Sequence, residues 1–250
     1  MNFIHPAFDP YRDLIATLDL AHGLPALSAL NALAAARTLV QAQGRPVRFV
    51  APGGRLAARD YETHILATGE IPTRADTWHD ALNALVWLRY PAFKAALNHA
   101  HVLAMRDETG PERSRRRDAL TVLDESGVWI VGRDRSLYEG IVAHAWQTVF
   151  WQQRQAVQAG LRFVVVGHAL LEKALAPYPT MTGKCLWLGN APDDEAAACA
   201  ALPKLETPRQ LAPLPVQGIP GWDAANAHPG YYDNTDIFRP ARIRAAGTAA

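Results

Sequence analysis

The sequence predicts an α+β fold, a single mixed domain in which helices pack on a small β-sheet. Apolar residues recur with helical spacing in several segments, such as residues 27–43. Short β-branched runs such as residues 161–166 (LRFVVV) are typical of buried strands. These helices and strands interleave without the regular alternation of a doubly wound sheet. At 250 residues, one domain can bury a large core.

The predicted elements follow from this periodicity and from the capping residues. Helices are expected at residues 27–43, 77–89, 91–104, 136–159, 168–176 and 193–202. Strands are expected at residues 46–51, 120–124, 128–131, 161–166 and 185–188, while 61–68 fits either a strand or a helix. Thr77 with Asp80, and Ser136 with Glu139, resemble capping boxes. Residues 1–25 should form an irregular arm with a short helix.

Three segments are expected to be less regular. Residues 107–117 are polar and predict a loop. Glu125-Ser126-Gly127 has turn chemistry and predicts a β-hairpin between residues 120–124 and 128–131. From residue 203 onward Pro and Gly are dense, which predicts an extended C-terminal strap over the body of the domain. The single domain is expected to span residues 1–240, with a disordered tail at 241–250.

Composition and charge exclude several classes of protein. The chain is 49% hydrophobic and 20% charged, which is ordinary for a globular protein, and its formal net charge of +1 gives no reason to expect nucleic acid as a partner. Cys185 and Cys199 form no CxxC motif, so neither a disulfide scaffold nor a zinc knuckle is expected. No signal pattern and no run of roughly 20 apolar residues is present. We therefore expect a soluble cytoplasmic protein with no membrane partner.

The segment TWHDALNALVW, residues 77–87, places three polar side chains in an otherwise apolar helix. His79 and Asn83 lie about 40° apart on the helix, and Asp80 lies on the far side. An imidazole or amide buried without a partner costs about 1–3 kcal/mol, so these groups should be paired. In one interpretation Asp80 caps the helix, while His79 and Asn83 bond backbone carbonyls. In the other, His79 faces a polar pocket and Asn83 orients it or the ligand.

A second polar signal is the junction VVVGHALLE, in which a buried strand ends at Gly167 and His168 opens a helix. The ends of such strands commonly line ligand crevices. His168 and Glu172 are separated by four residues and share one helix face, so they could bind one metal ion, or the carboxylate could hold one imidazole tautomer. The alternative is a simple helix-surface pair. The second His of the HExxH motif is missing.

Acidic and basic residues elsewhere have competing interpretations. Asp124 is either a hairpin-turn residue or a carboxylate supplied to the site at a strand end. The run RSRRR at residues 113–117 is either a solvated loop or a phosphate contact. The tail segment YYDNTDIFR is interpreted first as a strap anchored by Tyr232, Phe238 and Arg239, with Asp233 as a residue that could also reach the site.

Five blocks of sequence together resemble the family of bacterial proteins known as domain of unknown function 3025. The blocks are TWHDALNALVWLRYPAFKAALN, RDALTVLDESG, GHALLEKALAPYP, PLPVQGIPGW and YYDNTDIFRP. The resemblance spans most of the chain and implies a single-domain, soluble bacterial protein, but no activity. The polar positions of the family's motifs map to His79, Asp80, Asn83, Arg117, Asp118, Asp124, His168, Glu172, Asp233 and Arg239.

These observations leave three functional hypotheses open. The first is an uncharacterised protein with a buried His/Asp/Glu polar site that is structural or binds a small molecule or protein. The second is a metal-assisted hydrolase using His79, His168, Asp124 and Glu172, since two imidazoles and two carboxylates suit a divalent metal cofactor. The third, nucleic-acid processing, rests on the Arg run alone.

The site residues are assigned under the enzyme hypothesis. The catalytic candidates are His79, Asp80, Asp124 and His168. The candidate metal ligands are His79, His168 and Glu172. The candidate substrate-binding residues are Asn83, Arg117, Asp118, Asp233 and Arg239.

Overall fold

The computed structural model describes residues 1, 3–54, 58–108 and 112–241, and within them the chain forms ten α-helices and two β-sheets. The helices are α1 (Arg12–Thr17), α2 (Leu27–Ala36), α3 (Ala58–Thr68), α4 (Trp78–Arg89), α5 (Pro91–Arg106), α6 (Arg115–Ser126), α7 (Arg135–Val142), α8 (Arg154–Gly160), α9 (His168–Ala174) and α10 (Asp194–Ala201). The strands are β1 (Arg48–Val50), β2 (Glu70–Pro72), β3 (Gly127–Gly132), β4 (Leu161–Val165), β5 (Thr182–Gly189) and β6 (Ala212–Pro215). The predicted α+β class is confirmed. Residues 242–250 of the predicted tail lie outside the described residues.

The larger sheet has the strand order β4–β3–β5–β6 and is mixed in direction. Strand β3 runs antiparallel to β4 and parallel to β5, and β6 adds an antiparallel edge next to β5. Every residue of β3 is buried, which explains why its sequence, GVWIVG, is a continuous apolar run rather than an alternating one. The smaller sheet pairs β1 with β2 in parallel. Strand β3 is therefore the centre of the core.

An aromatic cluster joins this central strand to the helices that carry the candidate site. The ring of Trp129, in β3, meets Tyr90 and Phe93 edge-on, at centroid distances of 4.8 and 4.9 Å. Tyr90 lies between α4 and α5, so the two helices are fixed against the sheet at their junction. Aromatic pairs of this geometry stabilise a core beyond their buried area. The position of α4 is thereby tied to β3.

Most predicted elements are confirmed. The predicted cap of α4 is present, since Thr77 Oγ1 accepts a hydrogen bond from the Asp80 amide at 3.4 Å. Segment 61–68, left open by its sequence pattern, is helical as part of α3. Residues 203–241 form the predicted strap, with Tyr232 and Phe238 buried, although the strap also supplies β6, which was not predicted. None of the helices in the described part of the chain combines the length and apolarity needed to cross a membrane.

The predicted hairpin before β3 is wrong, because residues 120–124 belong to α6. Ser114 caps that helix, with its Oγ accepting a hydrogen bond from the Arg117 amide at 3.3 Å. Leu120 and Leu123 are both fully buried, which is the spacing of a helix face. The β-branched residues of LTVL are compatible with a strand or a helix, and the burial of Leu120 and Leu123 on one face favours the helix. Residues 109–111 of the predicted loop lie outside the described residues.

The predicted long helix at residues 136–159 is also wrong, because it is broken into α7, a wider helical turn at Gln147–Gln152, and α8. His144 adopts a positive φ of 58°, which ends α7, and Asp134 rather than Ser136 caps its start. The break lets the Trp146 indole donate to the Arg239 carbonyl at 2.8 Å, so it serves to hold the strap. Helix α2 likewise ends at Ala36, before the predicted residue 43.

Candidate functional site

Two glycines bring the end of α6 against the start of α9. The amide of Gly167 donates a hydrogen bond to the Gly127 carbonyl at 3.0 Å. A Cβ atom on Gly167 would lie 2.4 Å from the Gly127 nitrogen, and a Cβ on Gly127 would lie 2.3 Å from the Leu123 carbonyl oxygen. Only glycine permits this approach. The last turn of α6, with Asp124 and Glu125, therefore lies beside His168.

The imidazoles of His79 and His168 meet at this junction, although 89 residues separate them in the sequence. Their Nε2 atoms are 3.1 Å apart, and the rings meet edge-on with centroids 4.6 Å apart. His168 is buried, with 5% of its surface exposed, whereas the side chain of His79 is one-third exposed. The helix that contains TWHDALNALVW and the strand–Gly–His junction thus supply one histidine each to the same place.

Carboxylates surround this pair. His79 Nδ1 lies 2.9 Å from Glu172 Oε2, and His168 Nδ1 lies 3.8 Å from Asp124 Oδ1. Glu125 Oε1 lies 3.9 Å from His168 Nε2. Glu172 therefore contacts the histidine of the other helix and not His168, its neighbour at four-residue spacing. One ligand atom each from His79, Glu125 and His168 lie within 4.8 Å of one another, and we call these three residues the His–Glu cluster.

Behind the cluster, Lys94 holds Asp124 in its charged form. Lys94 Nζ is hydrogen-bonded to Asp124 Oδ1, and the lysine side chain is only 5% exposed. Burial would raise the pKa of Asp124, but the charges of Lys94 and His168 outweigh it and hold that pKa well below its ordinary value. Asp124 therefore remains ionised at neutral pH.

Lys94, Glu125 and Glu62 were all missed by the sequence analysis. The signal for Lys94 is present, because Lys94, Asn98 and His101 follow at i, i+4 and i+7 and form a polar stripe on the otherwise apolar α5. All three residues of this stripe are buried. Glu125 was hidden by its interpretation as a turn residue.

The cluster opens into a cavity of about 750 Å³. Six of the candidate site residues line it, namely His79, Asp80, Asn83, Arg117, Asp124 and His168. Glu172 reaches the cluster through His79. Another cavity of about 810 Å³ lies between β4 and the start of α10, but its Arg162 is paired with Asp194 at 2.8 Å and none of the candidate residues lines it. We therefore place the candidate site in the cavity beside the cluster.

Two of the lining residues have partners other than the expected ones. Asp80 accepts hydrogen bonds from the backbone amide of Arg74 at 2.7 Å and from its guanidinium at 2.8 Å. Burial acts to raise the pKa of Asp80, but these bonds outweigh it and lower the pKa. Asn83 donates to the Tyr61 hydroxyl at 3.2 Å and does not orient His79. Asp80 and Asn83 thus fix the cavity wall to neighbouring segments.

Arg115, Arg116 and Arg117 form the first turn of α6, whereas Arg113 lies in the exposed segment before the helix. Arg117 is paired with Glu108 at 3.0 Å, and Arg116 with Glu206 at 2.8 Å. Arg113 lies 3.1 Å from Asp118, which does not line the cavity. Carboxylates therefore already neutralise much of this run.

The strap residues predicted at the site lie elsewhere. Asp233 is exposed and accepts a hydrogen bond from Gln147. The Arg239 side chain is exposed, while its carbonyl accepts a hydrogen bond from Trp146 and lies 3.0 Å from His144 Nδ1. Neither Asp233 nor Arg239 lines the cavity. The Tyr232 hydroxyl donates to the Gly218 carbonyl at 3.0 Å, which supports its interpretation as an anchor.

Comparison with known proteins places this chain by family and not by a characterised relative. No curated protein and no solved structure was found to match it. The family described as Protein of unknown function (DUF3025) matches residues 47–242, a range that includes the whole His–Glu cluster. Since this match covers well over half of the chain, the protein belongs to the DUF3025 family.

Proposed function

We propose that this protein binds a divalent metal ion at the His–Glu cluster and uses it to hydrolyse a small molecule held in the cavity. One observation carries the proposal: the two Nε2 atoms converge at 3.1 Å while each Nδ1 atom faces a carboxylate. Three protein ligands would leave a fourth position for the water that attacks the substrate. We also propose that the protein is bacterial and cytoplasmic, as the sequence leads us to expect.

The spacing of the cluster suits zinc. Two Zn–N bonds of 2.0–2.1 Å at a tetrahedral angle place the nitrogens about 3.3–3.4 Å apart. The Nε2 atoms of His79 and His168 are 3.1 Å apart, so a small widening would admit the ion. Glu125 needs a larger movement, and its side chain, which is 41% exposed, has room to make it.

The outer carboxylates present both imidazoles in the form that binds a metal. Glu172, at 2.9 Å, favours a proton on His79 Nδ1 through a hydrogen bond, whereas Asp124, 3.8 Å from His168 Nδ1 and beyond hydrogen-bond distance, favours a proton there through its charge. A proton on Nδ1 leaves the lone pair on Nε2, facing the cluster. Glu172 is therefore proposed to orient His79 and not to bind the metal directly, which changes the ligand set expected from the sequence.

A direct hydrogen bond between the two neutral imidazoles fits these surroundings less well. A neutral imidazole that donates from Nε2 has a lone pair on Nδ1. That lone pair would face Glu172 if His79 were the donor, or Asp124 if His168 were. Repulsion arises in both cases. A metal ion, or one additional proton shared by the pair, removes the repulsion, and metal binding would displace that proton.

Calorimetric titration of the metal-free protein with Zn²⁺ tests the proposal. We expect one ion per chain, with His79→Ala and His168→Ala each weakening the affinity by more than about 100-fold, because even outer-shell partners contribute about 10–100-fold. The matched control is His5→Ala, since His5 is also buried but has both ring nitrogens paired, with Gln217 and with the Ala7 amide. That variant should bind zinc within threefold of wild type.

The outcomes separate the two halves of the proposal. Absence of zinc binding, or equal losses in the His79, His168 and His5 variants, would contradict the metal site. Hydrolysis is assayed with p-nitrophenyl acetate and bis-p-nitrophenyl phosphate on the zinc-loaded protein. A protein that binds zinc and hydrolyses neither probe would retain the metal site and lose the hydrolase.

A further inference from the structure

Glu62, in α3, lines the same cavity as the His–Glu cluster. It also lines a second cavity of about 10 Å³, whose wall includes Lys94, Asn98, His101 and Asp124. That volume is about what one water molecule requires. Glu62 thus lies between the substrate-sized cavity and a small polar chamber next to Asp124.

Asn98 fixes the position of the Glu62 carboxyl. The Asn98 amide donates to Glu62 Oε2 at 2.7 Å and to the Glu62 carbonyl at 2.9 Å. Lys94, the buried cation of this wall, is paired with Asp124 instead. Among the described residues, no ion pair includes Glu62. A largely enclosed carboxyl without an ion-pair partner is costly to keep ionised, and such groups concentrate at functional sites.

Its titratable neighbours are fixed in one protonation state at neutral pH. Burial lowers the pKa of His101 to about 4, so this imidazole is neutral. Asp124 stays ionised beside Lys94. Burial, and then the charge of Asp124, raise the pKa of Glu62 to about 7, against the smaller opposing effects of Asn98, Lys94 and Arg117. Of these three groups, Glu62 is the one able to exchange a proton near pH 7.

We infer that Glu62 is the proton-transfer residue of the cavity, accepting a proton from the attacking water and delivering it to the leaving group. This inference rests on the proposed function. For an ester, the water oxygen bonds to the carbonyl carbon while one water proton passes to Glu62. The bond to the leaving oxygen then breaks, its electron pair stays on that oxygen, and Glu62 returns the proton to it. One water is added across the bond, and Glu62 regains its starting state.

Carbon-13 NMR titration of glutamate carboxyls tests this assignment without a known substrate. The Glu62 resonance is identified by its loss in Glu62→Gln. In the metal-free protein its midpoint should lie at about 7. Zn²⁺ should lower that midpoint by at least one unit, because the ion would share the cavity, while the exposed Glu206 should not respond. A midpoint below 5, or one that ignores bound zinc, would overturn the inference.

Kinetics of Glu62→Gln separate this inference from the proposed function. The variant should bind zinc within threefold of wild type and lose hydrolysis by about 10²–10⁴-fold, the usual contribution of general acid–base catalysis. The limb of the pH–rate profile near pH 7 should also disappear in this variant. Retained hydrolysis in Glu62→Gln would overturn the role of Glu62 alone. A wild-type protein that binds no zinc or hydrolyses neither probe would overturn the proposed function and, with it, this inference.

Discussion

Asn226 in the strap and Asn83 in the cavity wall both carry amides shielded from solvent, but their pairing differs. Asn226 donates to the carbonyls of Gln217 and Ile219 at 2.8 and 2.7 Å, and its oxygen accepts from Arg154 at 3.0 Å. Within the described part of the chain, the Asn83 side chain makes one hydrogen bond, to Tyr61, and its Oδ1 atom is buried without a partner. The first amide completes the fold, whereas the second leaves an acceptor unused.

The buried histidines show the same contrast. His5 has a partner on each ring nitrogen, Gln217 at 3.0 Å and the Ala7 amide at 3.2 Å. The Nε2 atom of His168 faces another histidine, and no described residue lies within hydrogen-bond distance of its Nδ1, from which Asp124 Oδ1 is 3.8 Å away. Burial pulls the pKa of His5 below its ordinary value, more strongly than its bond to Gln217 raises it. A neutral, fully paired histidine is structural.

Unpaired buried atoms concentrate around the site. Among the described residues, the side chains with such atoms are Asn83, Asn98, Arg116, Arg117, Trp129 and His168. Four of these six line one of the two cavities at the site. Buried polar groups are nearly always paired in folded proteins, so a local excess of unpaired ones supports the proposal that this cavity binds a ligand.

The largest expected loss of stability is at Lys94, a residue of the small cavity whose buried ammonium is paired with Asp124. Lys94→Met leaves the Asp124 carboxylate without its cation, and removing one member of a buried ion pair costs about 3–5 kcal/mol. Urea unfolding measures the loss. The double variant Lys94→Met/Asp124→Leu should recover most of it, and a single-variant loss below about 1 kcal/mol would show that the pair is not an anchor.

A smaller difference is expected between the two asparagines. Asn226→Ala strands several buried groups and should lower the free energy of unfolding by about 2–3 kcal/mol. Asn83→Ala removes one hydrogen bond and should cost about 1 kcal/mol or less. Both are read from urea unfolding at one pH. Equal losses would show that the buried amides of the strap and of the cavity wall contribute equally to stability, which would contradict the difference in their pairing.

A third effect, similar in size to the difference between the two asparagines, is a pH dependence of stability that arises from Glu62. Its pKa rises from an ordinary 4.5 to about 7 on folding, so between these values the folded chain binds more protons than the unfolded chain. The free energy of unfolding should therefore fall as pH rises through this window. The expected decrease is on the order of 2 kcal/mol, since one pKa unit corresponds to about 1.4 kcal/mol and screening reduces the full effect.

Glu62→Gln is the control for this pH effect. The glutamine cannot titrate, so the difference in unfolding free energy between the variant and wild type should change in favour of the variant from pH 5 to pH 8. A difference that stays constant over this range would place the titration at another group.

The sequence predicts which faces of helices are polar, but not which faces meet. His79 and His168 stood out because each interrupts an apolar pattern. Glu172 was assigned to His168 by its four-residue spacing, yet the tertiary contact with His79 prevails, because α4 packs directly on α9. Glu125 was not identified, because its segment has turn chemistry and predicts a hairpin, whereas packing makes it part of α6. Local pattern thus predicted the α+β class and the two histidines, while the surrounding charges depend on long-range packing.

The contact between Gly127 and Gly167 limits which substitutions these two positions can accept. Gly127 begins the central strand β3 and Gly167 follows the neighbouring edge strand β4, so the spacing of His168 from Asp124 is set by the same backbone contact that packs the core. A methyl group added at either glycine would disturb the core and also move Asp124 and His168 apart. A substitution at this contact therefore changes the packing of the core and the positions of the site residues together.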